Sequence, residues 1–177
     1  MTELLGYRGL DALLREIDAL TERARRVELG TSVEGRPLLA YDVGEGPQTC
    51  VVLAGIHAME WIGVEVGLEL LRRLVADPPR DRVVRVHPLV NPDGYARVEG
   101  ELRAGKRRFT RTNARGVDLN RNWPTHWKPR ARKLALPFLG DGGPHPRSEP
   151  EIDAFNPPDP GRVTQHLAPV LDAFLRD

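Results

Sequence analysis

The apolar run from Thr49 to Ile56, TCVVLAGI, is the feature that most limits what this chain can fold into. It is short and rich in β-branched residues, the pattern of a buried strand. The next forty residues set its surroundings. Ile62, Val66, Leu70, Leu71 and Leu74 recur at helical spacing until Asp77-Pro78-Pro79 stops them. RVVRVHPLV, from residue 82 to 90, alternates with period two before turning apolar, and NPDG closes it with a turn signal. Strand, helix and strand in that order predict an α/β sheet layered with helices.

The flanks extend this plan. Leu10, Leu13, Leu14, Ile17 and Leu20 predict an amphipathic helix lying on a core. Val27–Leu29 and Leu38–Val43 predict two strands around a turn-rich Gly30–Pro37. Residues 97–118 are basic with weak periodicity and read as loop. Residues 123–150 hold prolines 124, 129, 137, 144, 146 and 150, which predicts long irregular structure of the kind that often carries function. No internal repeat is visible.

A chain of 177 residues suits one domain. Its 26 basic side chains are interleaved with 25 acidic ones, for a net charge of +1, so nothing calls for nucleic acid or an anionic membrane as partner. Cys50 is the single cysteine, which excludes an internal disulfide and a CxxC metal site. The first twenty residues carry acids and no continuous apolar stretch, unlike a signal peptide or a membrane span, so a cytoplasmic location is expected.

GIHAMEWIG, from Gly55 to Gly63, places a histidine and a glutamate three residues apart where the apolar strand gives way to the helix. His57 would follow the strand and Glu60 would open the helix, so both side chains can face one point beyond the strand's end. Imidazole and carboxylate are ordinary zinc ligands, and a catalytic site needs three protein ligands plus a water. In a chain with five histidines such a pair also arises from composition alone, so other residues must decide.

GTSVEGRPLLAYDVG, GIHAMEWIG, NPDGY, RTNARGVDLNRNW and PRSEPE occur in this order between Tyr7 and Phe155. Together they closely resemble the zinc carboxypeptidase family of the carboxypeptidase A type. The resemblance implies a mixed central α/β sheet flanked by helices and a Zn cofactor held by His57 and Glu60. Asp118 matches the acid that fixes the first zinc histidine; a carboxylate on the far ring nitrogen sets the tautomer and raises ligand basicity. Its alternative is a turn residue before the Asn-Arg pair. Asn120 and Arg121 match the pair that grips a substrate's C-terminal carboxylate, a guanidinium fork with an added amide. Arg111 matches the arginine that polarises the scissile carbonyl, where a fixed cation stabilises a developing oxyanion. For each arginine the alternative is a surface charge.

There are departures from the family. Thr110 precedes Arg111 where the family usually has an aromatic, and Met59 stands where many members have an arginine. His87, His126 and His145 match no ligand position; His87 reads as structural, and Trp61, Trp123 and Trp127 as packing residues. The family's third zinc histidine, a substrate-capping tyrosine and a general-base glutamate find no match in this chain. Ser148–Glu151 predicts a capping box that starts a helix. NPPDPG at 156–161 then cuts it short. The expected organisation is a truncated carboxypeptidase-like domain over residues 1–155, lacking the C-terminal half of the fold, followed at 156–177 by a divergent Pro-rich linker and a short helix. His166 in that tail has no family context.

The expected function is hydrolysis of the C-terminal bond of a peptide with a free carboxylate, impaired because two protein ligands hold zinc less well than three. Two alternatives stand beside it. One is a non-catalytic relic or carboxylate-binding module; the other is a deacylase or cell-wall peptide amidase on the same scaffold. An uncovered apolar edge is expected at Thr49–Ile56, and with it self-association.

Overall fold

The computed structural model describes residues 4, 6–21, 24–108, 110–125, 127–128 and 141–155. The expected tail helix, His126 and His166 lie outside them. Among them, α1 (Leu10–Leu20) leads to β1 (Arg25–Thr31), β2 (Pro37–Glu45) and β3 (Gln48–Leu53). Then come α2 (Trp61–Ala76), β4 (Arg82–His87), α3 (Pro92–Arg103) and the short α4 (Pro150–Asp153). The strands form one mixed sheet in the order β1-β2-β4-β3. β1 and β4 are antiparallel to β2, while β3 runs parallel to β4 with α2 as the crossover.

All four strand runs legible in the sequence are strands, but the run at Thr49–Ile56 leaves the sheet before Ile56. Gly55 has φ 64°, a left-handed conformation in which the chain turns out of the sheet direction. Hydrogen bonds from Ala54 to His87 and from Val90 to Ala54 still tie the strand ends together beyond Leu53. β3 lies at the end of the sheet, with no strand on its outer side among the described residues.

One layer of core joins α1, α2 and α3 to one face of the sheet through Leu13, Ile17, Tyr41, Leu68, Leu71, Val86 and their neighbours. α2 buries a different stripe from the one expected. Trp61, Val64, Gly67, Leu68 and Leu71 face inward, while Ile62 is 61% and Val66 45% exposed. The helix is apolar around much of its circumference, so periodicity alone leaves its rotation open. Two other features fix it. A Cβ on Gly67 would come within 2.8 Å of the Ala54 side chain, so α2 approaches the strand closely on that side. Arg8 with Glu65, and Arg72 with Glu16 at 2.9 Å, turn the charged flank toward α1.

NPDG is a helix start rather than a turn, and residues 97–103 belong to α3 rather than to a loop. Asn91 caps the helix by accepting from the Gly94 N–H at 2.9 Å, Pro92 occupies its first turn, and Asp93 adds an acid there. The expected capping box is also replaced. Glu149 is the N-cap of α4, and the Ser148 hydroxyl instead donates to Glu149 and accepts from Asn122.

A second, smaller core of Val90, Leu119 and Ile152 holds Leu53, Ile56, Trp123 and Phe155 against it. His87 is buried beside Phe155, ring centroids 4.4 Å apart and edge to face. Burial, with the Arg85 charge adding to it, drives the His87 imidazole down to about 3, so it is neutral at ordinary pH. Its reading as a structural histidine stands.

Candidate metal centre

The site sits where β3 ends and α2 begins. Gly55 turns the chain, and the short bend after it puts His57 inside and Glu60 outside, just before Trp61 starts the helix. His57 Nδ1 lies 2.9 Å from Glu60 Oε1. Two donors each about 2.1 Å from a tetrahedral zinc stand roughly 3.4 Å apart, so a small outward movement would let these two share an ion. His57 Nε2 lies 3.3 Å from Asp118 Oδ1 on the ring's other side. Neither contact has the angle of a hydrogen bond, and both ring nitrogens are buried without a hydrogen-bond partner among the described residues. A buried ring with one nitrogen toward a carboxylate and the other toward a second, half-exposed carboxylate fits a metal-ligating histidine with an outer partner.

Asp118 makes contacts on both sides. Its Oδ1 accepts from the Asn120 N–H at 3.0 Å and opens the single 3₁₀ turn Leu119–Arg121, and it also faces His57. Its Oδ2 accepts from Arg111 Nε at 2.8 Å. Burial opposes the charge on Asp118, but His57 and Arg111 outweigh it and hold the carboxyl below its ordinary range. The Arg111 guanidinium also comes within 3.9 Å of Glu60. Ala58 N–H donates to the Arg111 carbonyl at 3.2 Å, which ties the two loops together. His57, Glu60, Arg111 and Asp118 therefore form one cluster.

Asn120 and Arg121 are adjacent to it and more open. Both are exposed, and the Arg121 guanidinium donates to the Asn120 carbonyl at 3.2 Å. They belong to the short 3₁₀ turn Leu119–Arg121 that Asp118 caps. Met59 is also exposed at the rim. Trp61 packs as expected, stacked on Tyr95 at 4.2 Å and edge-on to Tyr7 at 5.8 Å, with its Nε1–H donating to the Ala58 carbonyl.

Zinc suits the chemistry of the donors but not their number. A catalytic ion takes three protein ligands, and among the described residues no group of three or more His, Cys, Asp or Glu side chains is arranged to hold one.

Three asparagines to which the sequence assigned no role hold the cluster. Asn91, Asn113 and Asn122 are fully buried. Asn91 Nδ2 donates to the carbonyls of Ile56 and Thr112, bridging the histidine loop and the arginine loop. Asn122 Nδ2 donates to Gly142, His145 and Ser148. Asn113 donates to Glu149 and Glu151, both buried. Asn113 and Asn122 stand within RTNARGVDLNRNW, but the groups their Nδ2 atoms donate to lie across the fold.

Comparison with known proteins gives one consistent result. The zinc carboxypeptidase family profile matches residues 10–157. Carboxypeptidase A4 of Mus musculus is 28% identical over 177 residues, covering 82% of this chain and 40% of its own length. An inactive metallocarboxypeptidase of Uncinocarpus reesii is 28% identical over 141 residues, covering 66% of this chain and 24% of its own. Among solved structures, bovine thrombin-activatable fibrinolysis inhibitor in complex with tick carboxypeptidase inhibitor superposes with TM-score 0.67 at 26% identity. That match covers 84% of this chain and 54% of the other. The carboxypeptidase A of Helicoverpa armigera superposes with TM-score 0.62 at 25% identity, covering 82% and 38%. The chain thus spans about 40% of the length of the curated relatives it matches first.

Proposed function

The chain belongs to the zinc carboxypeptidase family, and from that premise we propose that it carries the metal-binding and carboxylate-binding portion of a zinc metallocarboxypeptidase, with impaired turnover on its own. The observation that carries this reading is His57 held between two carboxylates, Glu60 at 2.9 Å and Asp118 at 3.3 Å. His57 and Glu60 would hold the zinc, which when bound polarises the scissile carbonyl and its attacking water. Asp118 orients the imidazole from behind. Arg111, steadied by Asp118, presents a cation where negative charge develops on the carbonyl oxygen. Asn120 and Arg121, open at the rim, take the free C-terminal carboxylate of a peptide.

Zinc stoichiometry by chelator competition, together with a chromogenic C-terminal peptide substrate, tests this. The expected result is weak zinc binding that His57→Ala abolishes, with little or no hydrolysis. Tight stoichiometric zinc with clear turnover would overturn the impairment. Zinc binding indifferent to His57→Ala would overturn the site. That no third ligand joins His57 and Glu60 among the described residues also supports a non-catalytic carboxylate-binding module. That reading predicts peptide binding that depends on Arg121 and persists after zinc removal.

Self-association is the second partner reading. β3 lies at the sheet edge with half-buried Cys50, Val51, Val52 and Leu53, and Met59, Ile62 and Val66 are exposed. Sedimentation velocity over a hundredfold range of concentration should show a second, larger species. A single monomeric boundary throughout would remove this reading.

A further inference from the structure

Arg111 and Asp118 come from one loop, seven residues apart, and lie side by side, with the other oxygen of Asp118 facing His57. What folds the loop that way is Asn113. Its backbone N–H donates to the Val117 carbonyl at 3.0 Å, and its carbonyl accepts from Gly116 at 3.1 Å. Its side-chain Oδ1 accepts from the N–H groups of Arg115 at 3.0 Å and Val117 at 3.1 Å. Gly116, with φ 78°, lets the chain turn back in so few residues. The turn returns the chain on itself between Arg111 and Asp118.

The other end of the same amide is anchored elsewhere. Asn113 Nδ2 donates to Glu149 Oε2 at 2.7 Å and to Glu151 Oε2 at 3.1 Å. Both carboxyls are buried at the start of α4 and have further partners. Glu149 accepts from the Ser148 hydroxyl at 2.8 Å and lies 3.7 Å from the Arg115 guanidinium, while Glu151 accepts from the Val33 N–H at 3.4 Å. Two donors and two acceptors exhaust what an amide side chain can make. Asn113 is fully buried with all four in use, so its orientation is fixed from both sides.

We propose that Asn113, clamped by Glu149 and Glu151, is the positioning residue that sets Arg111 and Asp118 against His57. It touches neither metal nor substrate; it acts through the turn. The proposal rests on the reading of His57 and Glu60 as metal ligands for its consequence. Its geometric core, the hold of Asp118 on the His57 ring, does not require a metal.

Two measurements on the full chain test it. The first is the zinc dissociation constant by chelator competition. The second, on the metal-free protein, is the ¹⁵N spectrum of the His57 ring, which reports whether the neutral imidazole carries its proton on Nε2, toward Asp118. Four variants are compared with the parent: Asn113→Ser, Asn113→Asp, Asn113→Asp with Glu149→Gln, and Val84→Ala as a core truncation away from the loop. Losing an outer partner of a metal-ligating histidine typically weakens metal binding by about 10–100-fold. That loss is expected for Asn113→Ser, together with a mixed His57 tautomer. Asn113→Asp puts a carboxylate against two others and should do worse. Adding Glu149→Gln returns an amide to the same contact and should restore both readings to within about threefold of the parent, a small fraction of that 10–100-fold loss. Val84→Ala should lower the melting temperature and move neither.

The proposal is overturned if Asn113→Ser leaves both readings at the parent's values, or if Val84→Ala shifts them equally. Should Asn113→Ser fail to fold, the double variant decides: a folded double variant with a displaced tautomer also overturns it. A parent chain that binds no zinc would defeat the proposed function instead, and the tautomer measurement would still judge Asn113.

Discussion

His87→Leu will make the chain less sensitive to acid than the parent. The reason is linkage. In the unfolded chain the His87 imidazole titrates near its ordinary value of 6.5, while in the fold burial pushes it down to about 3. Between those values the unfolded state binds a proton that the folded state refuses, so stability falls as the pH falls through that window. Each pH unit costs about 1.4 kcal/mol, so His87 alone removes about 3 kcal/mol at pH 4.5 relative to pH 7, and about 4 kcal/mol near pH 3, where the folded imidazole begins to take up the proton as well. Leucine in the same pocket beside Phe155 titrates nothing. Urea unfolding of both proteins at pH 7 and pH 4.5 is the check, and the parent should lose about 3 kcal/mol more than the variant. Equal losses would show that the imidazole is not held neutral against Phe155.

Trp61→Ala is the second large effect. Trp61 is buried, stacked on Tyr95 and edge-on to Tyr7, and its indole N–H satisfies the Ala58 carbonyl. Truncation of a large aromatic in a core costs about 3–5 kcal/mol. For a chain of this size that is a fall in melting temperature of roughly 10 °C. The loss should reach the site as well, because Ala58 and Trp61 flank the bend that carries Met59 and Glu60. Trp61→Phe keeps an aromatic ring against Tyr95 but loses the hydrogen bond and part of the buried ring volume, so about 1–3 kcal/mol is expected, less than for alanine. Calorimetry on the two variants settles the ranking, and a Trp61→Ala cost below about 1 kcal/mol would contradict the packing described for α2.

The strands are legible in the sequence because their runs of valine, leucine and isoleucine admit few other readings. The His57 and Glu60 pair, which its spacing alone leaves open, is legible through the motifs that surround it in order along the chain. Three features are not. The start of α3 reads as a turn because asparagine, proline, aspartate and glycine serve turns and helix starts alike, and only the Asn91 cap on Gly94 distinguishes them. The rotation of α2 is ambiguous because Ile62, Val66 and Leu70 form as good a stripe as the one buried; the close approach of Gly67 to Ala54 decides it. The clamp on Asn113 is hidden for a different reason. Its partners lie 36 and 38 residues away, and no local pattern announces a hydrogen bond across that distance.

The sheet's two edges are unlike. β1 carries Arg25, Arg26 and Glu28 and a register break between Glu28 and Gly30, features that keep a strand from templating another. β3, QTCVVL, has no charged residue and no such break. Among the described residues, growth by strand addition would therefore have one permitted side. Two copies meeting β3 to β3 about a two-fold axis would each hide the permissive side and turn the guarded one outward. An assembly built that way closes at a pair and cannot lengthen into a filament.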